Sequence, residues 1–213
     1  DAKYNSGLFN YPQWLRELKI EDKVLKGIIE EMYHGCPYEF SVLPIDILGS
    51  AYEQFLGKTI KYVRQTKYGH KVAIEEKPEV RKAGGIYYTP QKVVNYLVEK
   101  TLGRLIAGKR PEEISSIKIL DPSCGSGSFL IGAYEYLLRF YLAFYLQNSK
   151  VKKKALKEGI IYQVGAERYK LATGKKVEIL TRHIFGVDLD PLAVEVTKLS
   201  LLLKVLEDEN LEY

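Results

Sequence analysis

The nine residues Asp121-Pro122-Ser123-Cys124-Gly125-Ser126-Gly127-Ser128-Phe129 have the types and spacing of a ligand-binding turn between a strand and a helix. Gly125 and Gly127 open backbone angles that other residues avoid, and they let a ligand come close to the main chain. A helix starting beyond them offers unpaired N–H groups in its first turn. Asp121, at the carboxyl end of the preceding strand, can accept a bond from an ammonium group or a water. A second acidic turn follows in Gly186-Val187-Asp188-Leu189-Asp190-Pro191. A carboxylate at a strand's end suits two vicinal ribose hydroxyls because it can accept both bonds. Asp190, immediately before Pro191, is expected to cap the next helix instead. Alone, a Gly-x-Gly is as readily a tight turn and Asp188 a surface carboxylate. Each gains weight from the other.

The elements that must position these turns are legible from periodicity. Ile117-Lys118-Ile119-Leu120 is a short apolar strand running into the glycine turn, and a long apolar helix follows to Leu146. Residues 148–183 form a polar, basic insertion with helical pieces. Ile184-Phe185-Gly186-Val187 is a second short strand, and Pro191 starts a helix reaching about Leu206. Strand, turn, helix, strand, helix is half of a doubly wound sheet. Upstream, Thr89 is the expected N-cap and Pro90 the first helical residue of a helix from Gln91 to about Ile106. Val94, Leu97, Val98, Leu102 and Leu105 would share its buried stripe. Residues 1–58 read as helical. Asp22 is placed as the cap of a helix through Val24, Ile28, Ile29 and Met32, ended by His34-Gly35-Cys36-Pro37. A second helix fits Asp46 to Leu56, with Ile47, Tyr52 and Phe55 as core contacts. Alternation at Ile60, Tyr62, Val72 and Ile74 predicts a β-hairpin turning at Tyr68-Gly69-His70, and Glu75 to Glu79 read as a charged linker.

Composition narrows the function classes. The 213 residues are 46% hydrophobic and 28% charged, an ordinary globular balance. A net charge of +5 permits a polyanionic partner without requiring one. Cys36 and Cys124 lack CxxC spacing, and His34, His70 and His183 are scattered, so neither a disulfide framework, a metal site nor a catalytic triad is suggested. That usage fits a reducing, cytoplasmic setting. Phe129 to Leu146 is apolar enough to resemble a membrane span, but Glu135 and Arg139 interrupt it, so a core helix is expected and no membrane partner. No secretory signal is visible. The chain begins at Asp1 rather than Met, as an excised or processed piece would.

Asp121 to Phe129, written DPxCGxGxF, resembles the first cofactor motif of amino-group DNA methyltransferases, which act on exocyclic amines of adenine or cytosine. The resemblance implies a partial Rossmann-like sheet binding S-adenosyl-L-methionine at the strands' carboxyl ends, in an α/β, helix-rich chain. By the same resemblance Asp121, Ser123, Gly125 and Gly127 hold the methionine portion, Asp188 the ribose, and Leu189 lies against the adenine ring. Gly85-Ile86-Tyr87-Tyr88-Thr89-Pro90 is similar to the YTP segment of these enzymes, which gives Thr89 the methionine carboxylate, with Tyr88 and Tyr87 as weaker candidates. A helix N-terminus is a sensible place for a carboxylate. The order of the three motifs is that of the permuted γ class. A nicotinamide enzyme fits poorly. Its fingerprint needs a third glycine where Leu130 stands, and an acid ~20 residues on, whereas Asp188 lies 188 − 127 = 61 positions beyond Gly127.

Leu48-Gly49, Tyr52-Glu53, Phe55-Leu56-Gly57-Lys58 and Arg81-Lys82-Ala83-Gly84-Gly85 extend the resemblance to type IIG restriction–modification proteins. Such proteins fuse an endonuclease, a helical connector, a methyltransferase and a specificity region. Residues 1–80 would then be a helical connector with a β-hairpin, and residues 81–213 the N-terminal part of the methyltransferase region. Double-stranded DNA is the implied partner, through the full-length enzyme. The family's catalytic signature, [N/D/S]-P-P-[Y/F], is missing, since no two prolines are adjacent, and no catalytic residue is assigned. The expectation is adenine N6 methylation by the whole enzyme and inactivity of this piece alone. The competing expectations are a non-catalytic helical DNA-binding or interaction module with a methyltransferase-like fold, and a methyltransferase for RNA or protein. Lys150, Lys152, Lys153, Lys154 and Lys157 read as a solvated helix face rather than a phosphate-contacting patch. Tyr134, Tyr136, Phe140, Tyr141, Phe144 and Tyr145 read as core packing rather than base stacking.

Overall fold

A computed structural model describes residues 20–34, 47, 49, 51–52, 58–66, 69–76 and 89–207. Helix α1 (Asp22–His34) forms where the spacing predicted it. The Glu21 carbonyl accepts its first bonds, from the Val24 and Leu25 N–H groups at 2.9 and 3.2 Å. Asp22 is therefore in the first turn rather than at the cap, where its charge still complements the helix dipole. Val24, Ile28, Ile29 and Met32 are each about half exposed. Gly35 to Pro37 lie outside the described residues. Ile47, Gly49, Ala51 and Tyr52 are helical, as expected, but Ile47 is exposed and is no core contact. Phe55 lies outside the described residues.

Strands β1 (Lys58–Thr66) and β2 (Gly69–Glu76) make the predicted hairpin. Ile60 pairs with Ile74 and Tyr62 with Val72, so the apolar alternation falls on direct cross-strand neighbours. Gly69, His70, Glu75 and Glu76 belong to β2, which shortens both the expected turn and the expected linker.

The next helix runs as α2 (Gln91–Val98), a π-helical turn (Glu99–Gly103) and α3 (Arg104–Ile106). It begins at Gln91, as expected, but its cap lies one residue later than the sequence suggests. Pro90, with ψ 138°, is the cap residue, and no side chain caps the helix, so Thr89 is not its N-cap. The Pro90 carbonyl accepts from Val93 and Val94. Val94, Val98, Leu102 and Ile106 are buried, while Leu97 and Leu105 are 40% and 51% exposed. Every fourth residue in an α-helix drifts by about 40° around the axis. The wider π turn removes part of that drift, which keeps a four-residue stripe aligned and turns Leu105 outward.

Strand β3 (Ile119–Asp121) leads through the glycine turn into α4 (Ser128–Leu146), the central core helix. By length and composition α4 could cross a membrane. Here Leu130, Ile131, Tyr134, Leu137 and Tyr141 are buried in the core, and Glu135 pairs with Lys204. Gly132 permits a close approach of α2 to α4, because a Cβ there would lie 2.5 Å from Val94 Cγ1. Tyr136, Phe140 and Tyr145 pack partly buried against the core, as the packing reading expected.

The basic insertion is more ordered than its composition suggests. Helix α5 (Ser149–Lys157) is capped by Asn148, whose side chain accepts from Val151. A hairpin of β4 (Ile161–Gln163) and β5 (Tyr169–Leu171) follows, then α6 (Thr173–His183). The hairpin was not anticipated. Each strand has three residues, too few for alternation to register, although buried Ile161 pairs with buried Leu171. Strand β6 (Ile184–Gly186) returns beside β3, parallel, with Ile119 opposite Ile184 and Asp121 opposite Gly186. Helix α7 (Pro191–Leu206) closes the described fold. The buried Lys176 ammonium donates to the Val205 and Glu207 carbonyls at the end of α7, where cations are favoured.

Candidate functional site

The parallel register delivers both acidic turns to the same edge. Beyond the paired strands, Val187 N–H donates to the Asp121 carbonyl and Cys124 N–H to the Val187 carbonyl, each at 2.9 Å. The glycine turn and the Asp188 turn are therefore stitched together by main chain. Asp121 Oδ1 accepts from Ser123 N–H at 3.0 Å, which folds the Pro122-Ser123 corner. Oδ2 has no partner among the described residues. Gly125 and Gly127 have φ of 53° and 87°, in the left-handed region where glycine is favoured. Gly127 heads α4, and no side chain caps that helix.

Asp188 is the hub of the two turns. Its Oδ2 accepts from Gly125 N–H and its Oδ1 from Asp190 N–H, both at 2.8 Å. A carboxylate has about four acceptor positions, so each oxygen keeps capacity for a hydroxyl. Asp190 caps α7 as expected, with Oδ1 accepting from Leu192 N–H at 2.9 Å and Pro191 at the first helical position. Leu189, between the two acids, is fully exposed.

Three contributors were missed by sequence reasoning. The Thr197 hydroxyl donates to the Gly125 carbonyl at 2.8 Å, and a Cβ on Gly127 would lie 2.7 Å from Thr197 Cγ2. Its signal was a polar residue among the mostly apolar ones on the buried face of α7, which also carries Ser200. Tyr52 donates its hydroxyl to Asp190 Oδ2 at 3.2 Å. Burial, and then the Asp190 and Asp188 carboxylates, raise the Tyr52 pKa far above its ordinary value, so the phenol remains a donor. Gly49 is buried against Ser126 of the glycine turn.

The remaining predicted residues divide plainly. Asp121, Ser123, Gly125, Gly127, Asp188 and Leu189 are brought to one edge. Thr89 is half-buried just before α2, and Tyr88 and Tyr87 lie outside the described residues. Cys124 is buried, and desolvation, with smaller contributions from the Asp188 and Asp121 carboxylates, raises its thiol pKa. It packs as a small buried residue, and its surroundings disfavour the thiolate. Among the described residues no group of acids, cysteines and histidines could hold a metal ion. A cleft of about 300 Å³ runs beside β3, between Leu97, Thr101, Leu120, Asp121, Phe129 and Ala133. Its walls are largely apolar, unlike the polar edge formed by the two turns.

Residues 104–211 match the family described as MmeI, DNA-methyltransferase domain. Over its whole length the chain is 35% identical to the type II restriction enzyme and methyltransferase RM.Eco57I of Escherichia coli, of which it spans 20%. It is 23% identical over 89% of its length to the adenine-specific methyltransferase BrxX of Escherichia coli O9:H4 (strain HS), spanning 15% of that protein. It is 26% identical over 77% of its length to the type I restriction enzyme MjaIX methylase subunit of Methanocaldococcus jannaschii, spanning 18%. The chain thus spans a fifth or less of these curated relatives.

Proposed function

Since the chain belongs to the MmeI-type DNA-methyltransferase domain family of restriction–modification enzymes, we propose that it binds S-adenosyl-L-methionine for methylation of adenine N6 in double-stranded DNA. One observation carries the proposal: two acidic turns joined through Asp188 at the carboxyl ends of adjacent parallel strands. In open α/β sheets that edge is where ligands bind.

The residues fit the cofactor. Asp121 Oδ2, without a partner among the described residues, suits an α-ammonium group, and the N-terminus of α4, where no side chain caps, suits a nearby negative charge. Asp188 has acceptor capacity for the ribose hydroxyls, and exposed Leu189 presents an apolar face for a flat ring. Ser123, Gly125 and Gly127 bring main chain to the methionine portion, and Thr89, with Tyr88 beside it in sequence, serves the carboxylate. When bound, the cofactor supplies an electrophilic sulfonium methyl group. The protein's contribution here is binding and orientation.

In this reading β3 and β6 are two strands of a Rossmann-like sheet, and the apolar cleft beside β3 takes the side chains of a further strand from the rest of the enzyme. Residues 1–80 serve as a connector, and residues 81–213 form the first part of the methyltransferase region. The target amine is held by an [N/D/S]-P-P-[Y/F] motif contributed outside this sequence, which has no adjacent prolines. The enzyme works in the cytoplasm. The test is transfer of labelled methyl from S-adenosylmethionine to duplex DNA by the parent enzyme, with the modified base identified. N6-methyladenine, lost with Asp188→Ala, is expected. A parent enzyme that leaves DNA unmodified would instead favour a non-catalytic DNA-binding or interaction module.

A further inference from the structure

The Leu48-Gly49 and Tyr52-Glu53 motif belongs in sequence to the connector, upstream of every cofactor motif. Two of its residues nevertheless touch the cofactor turns. A continuous series of hydrogen bonds starts at Tyr52, whose hydroxyl donates to Asp190 Oδ2. Asp190 N–H donates to Asp188 Oδ1, Gly125 N–H donates to Asp188 Oδ2, and the Thr197 hydroxyl donates to the Gly125 carbonyl. Asp190 spends Oδ1 on capping α7, so Tyr52 satisfies the oxygen that the cap leaves over. One helical turn earlier, buried Gly49 faces Ser126. A Cβ at Gly49 would lie 3.1 Å from both Ser126 Cβ and Oγ, closer than most real Cβ contacts.

We propose that Tyr52 and Gly49 are positioning residues of the cofactor site, Tyr52 fixing the turn that holds the ribose and Gly49 the turn that holds the methionine portion. The inference rests on the S-adenosylmethionine reading. It divides one site between two anchors, so the two residues have separable signatures. Tyr52 acts through Asp190 on Asp188, and its influence should reach any ligand carrying the ribose. Gly49 acts through Ser126 on the glycine turn, and its influence should need the amino-acid end.

The experiment is calorimetric titration of the full chain with S-adenosylmethionine and with methylthioadenosine, which keeps the nucleoside and lacks the amino acid. Thermal unfolding is recorded for each unliganded protein. At 3.2 Å the Tyr52 bond is long for one to a carboxylate, so Tyr52→Phe is expected to weaken both ligands by about tenfold rather than a hundredfold. Gly49→Ala is expected to weaken S-adenosylmethionine by a similar factor and leave methylthioadenosine within about twofold. Unchanged affinities in Tyr52→Phe would overturn its role. An equal loss for both ligands in Gly49→Ala, with a lowered unfolding temperature, would reduce Gly49 to general packing. Failure of the unsubstituted chain to bind S-adenosylmethionine would sink the underlying reading and this inference with it.

Discussion

Replacing Gly127 by alanine tests the glycine turn independently of any ligand. Gly127 has φ 87°, and its added Cβ would lie 2.7 Å from Cγ2, 2.9 Å from Oγ1 and 3.2 Å from Cβ of Thr197. Thr197 cannot step aside cheaply. It is 5% exposed, β-branched, and held by its bond to the Gly125 carbonyl. The left-handed conformation costs alanine about 1–2 kcal/mol, and overpacking a well-filled site adds about 1–3 kcal/mol. Gly108 separates these contributions, because it has φ 72° with nothing within 4 Å of an added Cβ. Gly108→Ala should therefore show the conformational cost alone. For a chain of this size each kcal/mol moves Tm by about 2–4 °C, so Gly127→Ala should melt about 2–12 °C below Gly108→Ala. Thermal unfolding followed by circular dichroism measures both variants. Equal melting temperatures would refute the close approach of α7 to the turn.

Two further predictions concern the core. Gly132→Ala should cost about 1–3 kcal/mol by overpacking, since its Cβ would meet fully buried Val94. Adding Val94→Ala should recover part of that loss in a double-mutant cycle by urea unfolding, and simple additivity would argue against the contact. His183 is fully buried, with Nδ1 2.8 Å from the Ile117 carbonyl and Nε2 3.0 Å from the Tyr141 hydroxyl. The carbonyl can only accept, so Nδ1 carries a proton, and burial lowers the His183 pKa, which favours the neutral ring. The unfolded chain takes up a proton first, near pH ~6.5. The stability due to neutral His183 is therefore complete above that pH and declines as pH falls toward the lowered folded value. Urea midpoints measured on either side of that value should drop on acidification, and His183→Gln should flatten this dependence. An equal slope in both proteins would contradict the assignment.

Much of the site was legible in the sequence because its chemistry is local. The glycine turn, Asp188 beyond a strand and Asp190 before Pro191 each lie within a few residues of the element they serve. Their meeting follows from two apolar strands of the same short length. The contributions of Thr197, Tyr52 and Gly49 were not legible, since each depends on a contact spanning 70 to 138 positions (197 − 127, 190 − 52) and on which way a helix face turns. Ile106 in place of Leu105 was hidden for a related reason. The π turn changes the helical phase, and Gly103 at its end does not by itself announce the new phase. The Thr89 cap failed by one residue because Pro90 stays extended, and the short β4–β5 hairpin escaped because three residues cannot establish a period.

The central claim is that the edge organised by Asp188 binds S-adenosylmethionine. Calorimetric titration of the chain with that cofactor, in parallel with Asp188→Ala, tests it most directly. Saturable one-to-one binding that Asp188→Ala abolishes is the predicted result. Binding of equal strength in the Asp188→Ala variant would contradict the account, because the cofactor would then lie somewhere other than the two acidic turns.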